Sequence, residues 1–154
     1  PSELFLEAFR TIGANPVPMA WSDVFTAVQQ GTVDGLEIPL AVIYANKYPE
    51  VTKYLSLTNH SYNALAVLMS ERTFKRLNAD DQAAVRKAAA EAIKRQRETV
   101  AANEAQILEQ IKAAGMQVNQ VDNLEAFRNK VMPVYAKYRS TIGGELLDKA
   151  LNSN

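Results

Sequence analysis

The sequence predicts an α/β fold. Three observations carry this. In the first half, short apolar or extended segments alternate with helical patterns. In the second half helical patterns dominate, led by a stretch from Asn78 to Gly115 with neither Gly nor Pro between them. The chain has 154 residues, 47% of them hydrophobic and 22% charged, enough for one domain with an ordinary core.

Composition also excludes several classes. The 17 basic residues are cancelled by 17 acidic ones. Nucleic acid requires a basic stripe and an anionic membrane surface a basic patch, so neither is expected as a partner. No apolar run approaches the ~20 residues that span a bilayer. Without cysteine there are no disulfides, no thiolate catalysis and no Cys-type zinc site. One histidine, outside any HxxxH or HExxH spacing, makes no dedicated metal site, and no cofactor is expected. No Lys/Arg-led apolar leader opens the chain, which reads as a mature form whose signal peptide is not in this sequence.

The elements follow in order. Leu4, Leu6, Phe9 and Ile12 recur at helical spacing over 3–12, and Gly13 suits the C-terminal cap. Pro16-Val17-Pro18-Met19 is extended, because each proline forces its predecessor out of the α region, and reads as an edge or half-paired strand. Ser22 or Asp23 caps a second helix with Val24, Phe25, Ala27 and Val28 as its buried stripe, stopped by Gly31. Val33 to Ile38 reads as a short strand interrupted by Asp34-Gly35, and Pro39 opens a helix over 39–46. Val51 to Leu57 alternates weakly as a strand. Ala64 to Met69 is apolar throughout and reads as a strand buried on both faces. Asn78, with Asp81 three residues on, caps a helix of about 36 residues and roughly 54 Å. Its polar middle, Lys94 to Asn103, argues against a sustained coiled coil. Met116-Gln117-Val118 is a short strand. Asn123 caps a helix from Leu124 to about Tyr138, kinked or split near Pro133, and Glu145 to Leu151 forms the last helix.

Two stretches carry a family likeness: Gly13-Ala14-Asn15-Pro16-Val17-Pro18-Met19-Ala20-Trp21-Ser22-Asp23-Val24-Phe25 and Val33-Asp34-Gly35-Leu36-Glu37-Ile38-Pro39. Tyr48-Pro49-Glu50-Val51, Lys53-Tyr54-Leu55, Leu57-Thr58-Asn59-His60, the long helix and Gly115-Met116 extend it. In this order they resemble the periplasmic solute-binding receptors of TRAP transporters, the dicarboxylate-receptor-like family. The resemblance implies a two-lobed periplasmic-binding-protein-like fold with a long lobe-spanning helix. It implies that residues 1–62 and 104–154 form the second lobe. Residues 63–103 would be a crossover strand and helix segment of the first lobe, most of which is missing. It further implies an extracytoplasmic, periplasmic receptor. Such a receptor binds a small organic acid in an interlobe cleft, closes by hinge bending and delivers the acid to membrane permease subunits. The family keeps an arginine a few residues before the position of Pro1, which grips the ligand carboxylate bidentately. By this comparison the chain is a fragment with half a site, expected to associate with itself or with the missing N-terminal lobe.

The same comparison implies five ligand-site residues. Trp21 stands where the family has an aromatic against the ligand's carbon chain; the residue pattern alone also fits a core tryptophan. Ile38 occupies the slot of an asparagine that donates to the carboxylate. Isoleucine cannot donate, so it lines the pocket or packs in the core. Glu37 and His60 match a pair near the cleft. By themselves they also fit a solvated carboxylate and a surface histidine. Ser2 follows the arginine's position and lies within reach of the cleft. Gain of Trp21 and loss of the asparagine favour a flat or apolar acid. An enzyme is not expected, since no GxSxG, GxxxxGK[ST] or GxGxxG pattern occurs. The alternative is a non-catalytic interaction module without a small-molecule ligand, docking through the long helix.

Overall fold

The computed structural model describes residues 2–152. Their order is α1 (Glu3–Ile12), α2 (Trp21–Gln29), α3 (Leu40–Ala45), a 3₁₀ turn (Tyr48–Glu50), β1 (Tyr54–Leu57), α4 (Glu71–Phe74), α5 (Ala79–Ala113), β2 (Gln117–Gln120), α6 (Leu124–Ile142) and α7 (Gly144–Leu151). The two strands pair with each other. The Gln117 N–H donates to the Lys53 carbonyl, and Ser56 Oγ donates to Asn119 Oδ1 at 2.9 Å. Both strands advance in the same direction along this register, so the pair is parallel. A parallel pair needs a long crossover, supplied here by the residues that include α5.

The chain forms two compact units. One takes in the chain up to Glu37, Tyr54–Thr58 and the chain from Val118 on. Within it α1 packs on α6, and α7 folds back on α6. Val134 of α6 and Leu147 of α7 are buried. Glu7 ties α1 to α6: its carboxylate accepts from Lys137 Nζ at 2.7 and 2.9 Å and from the Tyr138 hydroxyl at 3.1 Å. Arg139 holds α7 by a two-point bond to Asp148, one arm at 2.7 Å.

The second unit comprises Ile38–Lys53 and Asn59–Gln117. Here α3 packs on α5, and Ile43, Tyr48, Ile111 and Met116 form the buried centre. Helix α5 is one unbroken run of 35 residues. Asn78 Oδ1 accepts from the Asp81 N–H at 2.8 Å, and Asp80 and Asp81 place negative charge at the positive helix end. At the other end Gly115, at φ 95°, lets the chain turn left-handed while its N–H returns to the Lys112 carbonyl. That reversal feeds β2.

Five local expectations are corrected. Pro16–Met19 joins no ladder: the two prolines remove alternate N–H donors, leaving that edge without donors. Val33–Ile38 is not a strand either; the Asp-Gly turn bends it and Pro39 closes it. Ala64–Met69 is not a strand among the described residues, and Leu65 and Leu68 are 93% and 87% exposed. Strand structure belongs to a pair, and an apolar run without a neighbouring strand has no ladder to join. Helix α2 starts at Trp21, with Ala20 as an N-cap that makes no side-chain bond. Ser22 Oγ instead donates to Asp23 Oδ1 at 3.0 Å. Finally, α6 runs through Pro133 to Ile142 as one helix. Pro133 deprives the Asn129 carbonyl of its intrahelical donor, but Asn129 lies on the exposed side, where that carbonyl need not be buried without a partner.

Candidate functional site

Trp21 is the first residue of α2, and its position follows from the helix period. Residues 21, 24, 25 and 28 share one face, on which Val24 and Phe25 are half-buried and Val28 is buried. The indole therefore continues the apolar stripe to the open end of the helix, where it remains 51% exposed. The far end of α2 is fixed by a left-handed Gly31 at φ 68°: its N–H donates to the Val28 carbonyl, and that of Thr32 to Ala27. The sequence reading does not single out Val17, which lies in the proline segment before Trp21 and is 55% exposed. Its signal is the segment itself, apolar yet barred from a ladder by two prolines.

Glu37 and Ile38 are half-buried and lie in the irregular segment that leads into α3, whose N-cap is Pro39. His60 is exposed, three residues beyond the end of β1 and just after Asn59, a left-handed residue at φ 45°. Ser2 acts locally, its hydroxyl accepting from the Phe5 N–H at 3.4 Å and so capping α1. Trp21, Glu37 and Ser2 belong to the first unit, Ile38 and His60 to the second.

The clearest electrostatic perturbation lies elsewhere, on the α1–α6 contact. The hydrogen bond from Lys137 holds the Glu7 carboxyl below its usual range, and the same bond raises the Lys137 ammonium. Burial, followed by the bond to Glu7, raises the Tyr138 phenol. This is a structural ion pair at an exposed helix seam. Among the described residues, no group of three or more His, Cys, Asp or Glu could hold a metal ion. No helix among them is long and apolar enough to cross a membrane.

Comparison with known proteins gives this geometry a context. Residues 1–141 match the model of the bacterial extracellular solute-binding protein family 7. The sialic acid-binding periplasmic protein of Vibrio cholerae is 36% identical over 137 residues, 89% of this chain and 42% of that protein. The 2,3-diketo-L-gulonate-binding periplasmic protein of Escherichia coli is 38% identical over 117 residues, 76% of this chain and 36% of that protein. A crystal structure of a TRAP periplasmic solute-binding protein from Polaromonas sp. JS666, bound to D-erythronate, matches with a TM-score of 0.87 at 39% identity. The match covers 94% of this chain and 48% of that one. The chain thus spans less than half the length of these relatives. The α/β character expected from the sequence agrees with these neighbours. On the match over residues 1–141, the chain belongs to the bacterial extracellular solute-binding protein family 7.

Proposed function

We propose that this chain is part of a periplasmic receptor that binds a small organic acid and delivers it to the membrane permease subunits of a TRAP-type transporter. Membership of a solute-binding family supports this, together with relatives named for binding D-erythronate, sialic acid and 2,3-diketo-L-gulonate. The single observation in the molecule that carries it is Trp21. A large aromatic held half-exposed at the open end of a packed helix stripe is what a ligand wall requires. In this reading Trp21 and Ile38 contact the ligand's carbon body, and Glu37, His60 and Ser2 supply polar contacts. Residues 1–62 and 104–154 are assigned to one lobe and 63–103 to the crossover into the other. The protein acts as a receptor and not as an enzyme.

The test is ligand-induced stabilisation of the protein in its natural length against a panel of small carboxylates. A receptor is stabilised by RT ln(1 + [L]/Kd), about 2.7 kcal/mol at one hundred times Kd. At least one acid should raise the melting temperature with saturation. A panel of acids that leaves it unmoved would favour the interaction-module reading instead.

A further inference from the structure

Taking Trp21 as a ligand contact, as proposed above, we infer that the acid bound here has a flat apolar body, as an aromatic carboxylate does, and is not a polyhydroxylated sugar acid. The ground is the chemistry of residues 16–21. Pro16-Val17-Pro18-Met19-Ala20-Trp21 offers no strong side-chain hydrogen-bonding group except the indole N–H. Pro16 and Pro18 also lack backbone N–H groups. Val17 and Trp21 are both more than half exposed, so the surface this segment shows is apolar and poor in donors.

The next polar side chains do not repair this. The Ser22 hydroxyl is donated to Asp23 at 3.0 Å, so these two groups are already engaged with each other. Hydroxyl groups laid against this wall would find few donors to replace the water they give up. A flat ring loses nothing of the kind and gains offset contact with the indole face. This departs from the hydroxylated acids in the names of the relatives.

Isothermal titration of the natural-length protein tests it with three probes, each a six-membered ring bearing one carboxylate: benzoate, cyclohexanecarboxylate and D-galacturonate. Benzoate should bind tightest, at least about tenfold tighter than galacturonate, with the saturated ring between them. Trp21→Ala should cost benzoate about tenfold or more, while Trp21→Phe should retain the preference; circular dichroism melts check that each variant is folded. Galacturonate binding as tightly as benzoate, or a hydroxylated acid from the wider panel binding where benzoate does not, would overturn the ligand class and leave the receptor reading intact. Failure of all carboxylates would overturn both.

Discussion

Trp21 and Glu7 show what one side chain decides. The indole lies on the same helical face as Phe25 and Val28, yet half of it meets solvent. We predict that Trp21→Ala costs little stability compared with a core truncation, since much of its surface is already wet. Ile111→Ala, at a fully buried position, should cost about 2–5 kcal/mol by chemical denaturation. Similar losses for the two would contradict the placement of Trp21. Glu7 carries the pH dependence. Its folded-state pKa is depressed, chiefly by the hydrogen bond from Lys137. Its stabilising effect is therefore present above the unfolded-state value and is lost as pH falls through the folded one. Lys137 works in the opposite sense, its raised pKa giving stability that fades as pH climbs through the folded value. Glu7→Gln should flatten the acid limb of a stability-versus-pH curve; an unchanged acid limb would show that the pair does not set it. Residues of this kind are only partly legible in sequence. Trp21, Glu37 and His60 are singled out by the family pattern and are proposed as ligand contacts on that ground. The Glu7–Lys137–Tyr138 cluster joins positions 130 or more apart and leaves no local signal.

At the scale of elements, the long helices were legible, and so were the two strands that pair, read at Val51–Leu57 and Met116–Val118; three further extended or apolar runs read as strands join no ladder. The two longest helices carry their own instructions: Asn78 and Asn123 as caps, acidic first turns and glycines past the ends. Strand pairing depends on partners the local pattern does not name. The run Ala64–Met69 looks like a central strand and has no ladder among the described residues, and Pro16–Met19 cannot supply one. Helix α5 tests the first half of this contrast. Ala101 and Ala102 lie exposed in its middle, so Ala101→Pro should lower stability by ~3 kcal/mol through backbone effects alone, with a fall in helical circular dichroism. No change would mean that the helix is not continuous there. The exposed apolar run tests the second half. Residues 61–70 contain no charge and no proline, the usual guards against edge-to-edge pairing. We predict that the 154-residue chain self-associates through this run, and that Leu65→Lys with Val67→Lys suppresses it. Light scattering that finds a clean, soluble 17.0 kDa species for the unaltered chain would sink the idea.

For the whole molecule, length matters as much as fold. The relatives named for their acids are more than twice as long as the stretch they share with this chain. The proposed binding energy is accordingly divided between this chain and residues it does not contain. We predict that residues 1–154 bind small carboxylates far more weakly than the natural-length protein does. A charge-assisted hydrogen bond contributes ~1.5–3 kcal/mol, and losing even two such bonds moves a micromolar ligand towards the millimolar range. Micromolar binding to residues 1–154 alone would contradict this division. The most direct measurement is a crystal structure of the natural-length protein with a bound organic acid. The account predicts the acid's carbon body within about 4 Å of the Trp21 ring. An acid bound elsewhere, with Trp21 still exposed to solvent, would contradict it.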